Sequence, residues 1–240
     1  MPVEIEVVDD PGRACSAMLV GVAAGGGHIV LTGGSTPRAA YGEFVQAVRA
    51  VGLDVSGSTM WFGDERCVPP DDERSNYRMA KESMFDPLGD GGLPTIHRMK
   101  GELEPDAGAE DYEGQLRDAG SPRFDLVLLG IGPDGHCASL FPDQESLSER
   151  SRSVVGVEQA GLEPFVPRVS MTLTRLANAR QIVFLVTGES KAHAVAAAFG
   201  PRAEPDPHIP SSLLAPLAKE IKVLLDPAAA AGLGSRTGRA

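Results

Sequence analysis

A chain of 240 residues is long enough for one large α/β domain with a sizeable core, which excludes a mini-protein. Hydrophobic residues at 42% and charged residues at 23% match globular usage and exclude a disordered or fibrous chain. Asp plus Glu number 33 against 22 Lys plus Arg, and the net charge of −11 repels nucleic acid and anionic membranes on average, so neither is an expected partner.

In chain order, residues 1–11 carry Glu4, Glu6, Asp9 and Asp10 in place of a basic leader, and no apolar run approaches the roughly 18 residues of a membrane span. No export or anchoring signal is read. Buried apolar runs at 28–32, 59–63, 124–130, 181–187 and near 220–225 read as parallel strands. They alternate with helical stretches at 11–24, 37–51, 76–85, 106–119 and 189–199. The alternation predicts a doubly wound, mostly parallel α/β sheet with helices on both faces, in a single domain over residues 1–226. Two further segments, 153–157 and 168–173, read as short strands whose pairing periodicity leaves open. The stretch 227–240, rich in Ala, Gly and Arg, is expected to fray. Cys15, Cys67 and Cys137 lie too far apart for a CxxC pair, which predicts free thiols and a reducing cytoplasm.

Ligands of open α/β sheets sit beyond the carboxyl ends of strands, so the residues that follow each strand carry the functional reading. The first strand runs into Thr32-Gly33-Gly34-Ser35-Thr36-Pro37. Its glycines let the backbone approach a ligand, Ser35 or Thr36 can cap the next helix, and Pro37 suits the first helical position. Exposed N–H groups, the positive dipole end and the hydroxyls make this an anion cradle suited to phosphate, with a plain capped turn as the alternative. The second strand ends Trp61-Phe62-Gly63-Asp64-Glu65-Arg66, either a solvated charged turn or a site where Arg66 bonds phosphate or carboxylate oxygens bidentately. Ser75-Asn76 reads first as a helix N-cap.

The third strand is followed by Gly130-Ile131-Gly132-Pro133-Asp134-Gly135-His136, which satisfies GxGxxG and has Glu158 near the interval of a ribose-binding acid. A dinucleotide site needs a crossover helix here, and Pro142 interrupts the segment too soon, so the fingerprint is fortuitous. His136 then reads as a titratable group at a Gly-rich turn and helix start, where the dipole keeps the imidazole neutral and able to act as general base. The fourth strand gives Thr187-Gly188-Glu189-Ser190-Lys191, with Lys191 in a first helical turn that disfavours a cation lacking a ligand. His193 faces elsewhere among alanines, in a packing or surface role. Arg168 is the remaining candidate cation, a strand-edge arginine being the alternative. Five histidines without HExxH or paired-Cys spacing supply no metal ligand set, and no cofactor is expected.

These motifs, together with Ser75-Asn76-Tyr77 and the continuation Cys137-Ala138-Ser139-Leu140-Phe141-Pro142, appear in an order that resembles the 6-phosphogluconolactonase family over about residues 28–215. Glucosamine-6-phosphate deaminases share that fold, the Gly-rich phosphate loop and Asp-Gly-His. They typically carry Asp-Glu-Tyr in place of Asp64-Glu65-Arg66, and Ala-Phe-Asn-Glu-Pro in place of Ala138-Ser139-Leu140-Phe141-Pro142; the missing acid argues against deamination. Cys137 departs from the Thr or other small residue that lactonases often carry. The resemblance implies hydrolysis of 6-phosphoglucono-δ-lactone to 6-phosphogluconate in the oxidative pentose phosphate pathway. It makes His136 the base toward water, Asp134 a residue that orients the imidazole or the substrate, and Arg66 or backbone N–H groups of the Gly-rich turn the oxyanion donors. Gly33, Gly34, Ser35, Thr36, Asp64, Arg66, Arg168 and Lys191 are the expected substrate contacts. No metal or cofactor is implied, and a monomer or weak homo-oligomer is expected. The alternatives are a deaminase-like aldose-ketose isomerase and a non-catalytic sugar-phosphate sensor. Either way, an acidic chain must gather Arg66, Arg168 and Lys191 into a local positive pocket.

Overall fold

The computed structural model describes residues 3–89 and 92–234. In chain order they form β1 (Val3–Val7), α1 (Pro11–Ala24), β2 (His28–Leu31), α2 (Ser35–Val51), β3 (Thr59–Phe62), β4 (Asp64–Arg66), α3 (Asn76–Ala80), α4 (Asp86–Leu88) and β5 (Thr95–Ile96). There follow α5 (Pro105–Asp118), β6 (Phe124–Leu129), β7 (Val154–Val157), β8 (Arg168–Met171), α6 (Leu173–Ala177), β9 (Ala179–Val186), α7 (Ala192–Phe199) and β10 (Ile221–Leu225). Seven strands make one sheet in the order β1-β10-β9-β6-β2-β3-β5, every neighbouring pair parallel. The central strands are continuous apolar runs because helices cover the sheet, as in the expected doubly wound fold. Phe199 of α7 packs on Phe184 of β9, and Tyr112 of α5 packs edge-on to Trp61 of β3.

Two buried tyrosines fasten the strand ends from which the functional loops leave. Tyr41 Oη donates to Thr32 O at 2.8 Å and accepts the Thr32 N–H at 3.0 Å. Tyr112 Oη donates to His97 O at 3.0 Å and accepts the Phe62 N–H at 2.8 Å. Each hydroxyl thus satisfies backbone groups that would otherwise be buried unpaired.

Some elements differ from expectation. β1 lies in the acidic N-terminal stretch, where no strand is predicted; it is an edge strand, and Glu4 and Glu6 each reach Lys222 of β10 at 2.9 Å. The charged run Asp64-Glu65-Arg66 is itself a strand, β4, in a second sheet of order β4-β8-β7 with antiparallel pairing. That sheet supplies the partners that periodicity left open for 153–157 and 168–173. The helix expected over 76–85 is α-helical only to Ala80 and continues as a π-helical turn, Lys81–Phe85, into α4. The packed chain also runs past residue 226. Asp226 accepts the N–H groups of Gly188 and Ala229 at 3.1 and 2.7 Å, Ala229 is buried, and a 3-10 turn at Ala231–Leu233 lies against α7. Residues 227–234 thus pack on the domain, and 235–240 lie outside the described residues. No helix among the described residues is long and apolar enough to cross a membrane.

Candidate active site

From β2 the chain proceeds outward to β3 and β5, whereas from β6 it proceeds the opposite way to β9 and β10. Loops leaving two such neighbours diverge and open a crevice at their carboxyl ends. A cleft of about 230 Å3 lies there, lined by Thr32, Gly33 and Gly34 after β2 and by Gly130, Ile131 and Gly132 after β6. Asp64, Arg66, Asn76, His136, Arg168 and Lys191 complete it with Ala138, Phe141, Leu162 and Glu163.

Gly34 caps α2 with φ +115°, a left-handed backbone that favours glycine, so α2 begins at Ser35 and not at Pro37. The first-turn N–H groups of Ser35 and Thr36 have no intrahelical acceptor and remain available to an anion. Their side chains stand outside the cleft, which corrects the expected hydroxyl contacts. Thr36 Oγ1 lies 2.7 Å from Thr187 Oγ1, and both Ser35 and Thr36 line a neighbouring groove with Asp9, Asp10 and Asp226.

The carboxylates of β4 are buried because α3 brings donors to them, so the solvated-turn reading fails. Glu65 accepts the N–H groups of Arg66, Asn76 and Tyr77 at 2.7–2.8 Å and the Ser75 hydroxyl at 2.9 Å. Burial raises the Glu65 pKa and those four donors oppose the rise. Asp64 accepts the Ser139 hydroxyl at 2.6 Å and the Asn76 amide at 3.1 Å. Ser75 Oγ accepts the Arg78 N–H at 3.1 Å, so the expected N-cap is present. A side chain at Gly33 would collide with the Asn76 amide, which explains that glycine.

Three cations converge on the cleft. Arg66 donates through Nη1 to Arg74 O, while its Nε is buried without a partner. Arg168, only 4% exposed, donates from Nε to Val166 O at 3.0 Å and from Nη2 to Pro164 O at 2.7 Å. Burial lowers the Arg168 pKa and Asp64 opposes this. Lys191 ends a 3-10 turn, Glu189–Lys191, directly before α7 and not within its first α-helical turn. Partial burial lowers its pKa, with Asp134 opposing. Among the described residues none of the three forms an ion pair. Uncompensated cations in a concave site attract an anion.

His136 Nδ1 lies 2.6 Å from Asp134 Oδ1, and the same oxygen accepts the His136 backbone N–H at 3.2 Å. Partial burial raises the Asp134 pKa, but the hydrogen bonds and charge of His136 outweigh it and hold the carboxyl below its usual range. An ionised Asp134 places the proton on Nδ1 and leaves Nε2 as the free acceptor. A Cβ at Gly132 would overlap both the imidazole and Asp134 Oδ1, so that glycine is needed for the pair to form. No helix starts at His136, contrary to expectation. The chain closes a short bridge between Cys137 and Leu140, and Asp134 governs the ring where a helix dipole was expected to. With no crossover helix and with Glu158 exposed after β7, GxGxxG carries no dinucleotide fingerprint.

Phe141, whose ring centroid lies 4.7 Å from that of His136, is part of the recognised motif. Leu162 and Glu163 were not anticipated, and only their closeness in sequence to Arg168 signals them. His193 is exposed, as expected. The three cysteines are free, and burial pushes the Cys15 and Cys137 thiols up to about 12. Among the described residues no group of three His, Cys, Asp or Glu side chains is placed to hold a metal ion.

Residues 14–223 match the family model described as glucosamine-6-phosphate isomerases/6-phosphogluconolactonase. The chain belongs to that family. Within it, the 6-phosphogluconolactonase of Synechocystis sp. is 37% identical over 207 residues, covering 83% of this chain and 82% of the relative. The human 6-phosphogluconolactonase is likewise 37% identical over 207 residues, covering 83% and 78%. A crystal structure of 6-phosphogluconolactonase from Leishmania guyanensis has a TM-score of 0.81 at 26% identity and covers 98% of this chain and 100% of its own. A monomeric glucosamine-6-phosphate deaminase has a TM-score of 0.81 at 20% identity, so the family's fold extends across both chemistries.

Proposed function

We propose that this enzyme hydrolyses 6-phosphoglucono-δ-lactone to 6-phosphogluconate in the cytoplasm, with His136 as the general base. The observation that carries the reading is the Asp134–His136 pair at 2.6 Å beside a crevice with three cations that form no ion pair among the described residues. Lys191, Arg66 and the free N–H groups at the start of α2 receive the phosphate, and Arg168 adds buried positive charge.

His136 Nε2 takes a proton as water oxygen attacks the lactone carbonyl carbon, and the carbonyl electron pair moves onto oxygen. The unpartnered Arg66 Nε is a donor for that oxyanion. Collapse of the tetrahedral intermediate breaks the bond to the ring oxygen, which receives the proton held on the imidazole. The new carboxylic acid then ionises, so one water is consumed and one proton released per turnover. Asp134 retains the Nδ1 proton and stabilises the transient imidazolium. A base so placed contributes about 10²–10⁴ in rate, and one oxyanion donor about 10²–10³.

Leu140 and Phe141 are buried apolar residues in the motif where deaminases typically supply an acid, which favours hydrolysis over isomerisation. A sensor would need only the cationic crevice, whereas the oriented imidazole supports a catalyst. The test supplies freshly generated lactone and, separately, glucosamine 6-phosphate. Acceleration of lactone hydrolysis with no ammonia release is expected; ammonia release without lactone turnover would overturn the reading.

A further inference from the structure

We propose that Glu163 is a specificity-determining residue whose carboxylate accepts hydrogen bonds from the hydroxyl groups of the sugar; the assignment rests on the lactonase reading above. Two carboxylates line the cleft, Asp64 and Glu163, and a third, Asp134, stands behind His136. Asp64 is occupied by Ser139 and Asn76, and Asp134 by His136. Among the described residues the Glu163 carboxylate has neither a hydrogen bond nor an ion pair, although Arg66 and Arg168 line the same cleft.

The loop that carries Glu163 has no regular secondary structure, yet it is held. Arg168 donates to Pro164 O at 2.7 Å and Val166 O at 3.0 Å, with a longer contact of 3.5 Å to Leu162 O. Acceptors on both sides of Glu163 are thereby tied to one buried guanidinium that is itself part of β8. Much of Arg168's hydrogen-bonding capacity is used in fixing this loop, so it acts on the substrate in part through Glu163.

A free carboxylate beside three cations opposes phosphate binding by charge alone. It is useful at such a site when the ligand also brings donors, and a phosphosugar lactone brings hydroxyls. Cations then read the phosphate while the carboxylate reads the polyol. Glu163 is exposed in the free protein, so water satisfies its carboxylate when no ligand is bound, and the discrimination it adds is that of one hydrogen bond to a charged acceptor.

Glu163→Ala and Glu163→Gln are titrated calorimetrically with 6-phosphogluconate and, separately, with inorganic phosphate. Loss of a hydrogen bond to a charged acceptor weakens 6-phosphogluconate binding by about tenfold in the Ala variant. The Gln variant loses less, since its amide oxygen still accepts, and phosphate binding is not weakened in either. Unchanged or tighter 6-phosphogluconate binding by the Ala variant would overturn the proposal, leaving Glu163 only a repelling charge. Equal weakening toward phosphate would also overturn it, by tracing the loss to the loop and not to the hydroxyls. If wild type accelerates lactone hydrolysis while the Ala variant binds normally, the Glu163 assignment fails alone. A wild type that neither binds 6-phosphogluconate nor accelerates hydrolysis removes both.

Discussion

Replacing Asp134 by Asn tests the charge behind His136 with little change in shape. Two donors, the His136 backbone N–H and Nδ1–H, converge on Asp134 Oδ1 at 3.2 and 2.6 Å. An Asn at 134 therefore places its carbonyl oxygen there, which preserves the imidazole tautomer and removes only the charge. A hydrogen bond to an ionised acceptor contributes about 1.5–3 kcal/mol against about 1 kcal/mol for a neutral one. Attraction between a carboxylate and an imidazolium about 4 Å apart is at most about 4 kcal/mol at an effective dielectric of about 20. Asp134 is 28% exposed, so solvent screens much of the Coulomb part and the loss falls near about 2 kcal/mol. At about 1.4 kcal/mol per decade, kcat drops by about thirtyfold while KM is unchanged, because the proposed phosphate contacts fall to other residues. Proton release from fresh lactone, followed with an indicator dye and corrected for spontaneous hydrolysis, measures both constants. Turnover within about twofold of wild type, or a defect confined to KM, would refute the reasoning.

Lys191→Ala, which removes a proposed phosphate donor, and Arg168→Ala, which removes buried positive charge beside the cleft, each raise KM at least about tenfold with a smaller change in kcat, as steady-state kinetics will read. Burial lowers the Lys191 pKa, so in the free protein its charge is lost as pH rises through a value below the ordinary value of about 10.4. Affinity for 6-phosphogluconate accordingly falls across that alkaline interval in wild type and stays flatter in Lys191→Ala, measured by calorimetry as a function of pH. Glu65→Ala strands four donors, those of Arg66, Ser75, Asn76 and Tyr77, and destabilises the fold by about 2–4 kcal/mol in denaturant unfolding.

The parallel sheet was legible because its central strands, β2, β3, β6, β9 and β10, are apolar on both faces, and local pattern suffices to mark such runs. β1 escaped because VEIEV alternates as a solvent-edge strand does, and its acidic positions pair with Lys222 from the far end of the chain. β4 escaped for a related reason: Asp64 and Glu65 look like surface charges until Ser75, Asn76, Tyr77 and Ser139 supply their donors. The cations were legible one by one, as polar residues at strand ends, and the fold brings Arg66, Arg168 and Lys191 to one crevice in a chain of net charge −11. Their hydrogen bonding was not legible, since Arg168 faces carbonyls of a loop without motif. The same holds for Ser35 and Thr36, which follow the Gly-rich turn but stand on the acidic groove beside Thr187 and Asp226.

The central claim is that His136 is the base of a lactone hydrolase. Freshly generated 6-phosphoglucono-δ-lactone, followed by proton release with wild type and with His136→Ala, tests it most directly. Wild type is expected to exceed the spontaneous rate by a wide margin, and the Ala variant, folded and still able to bind 6-phosphogluconate, to lose at least about a hundredfold in kcat. A folded His136→Ala protein that hydrolyses the lactone at nearly the wild-type rate would contradict the account.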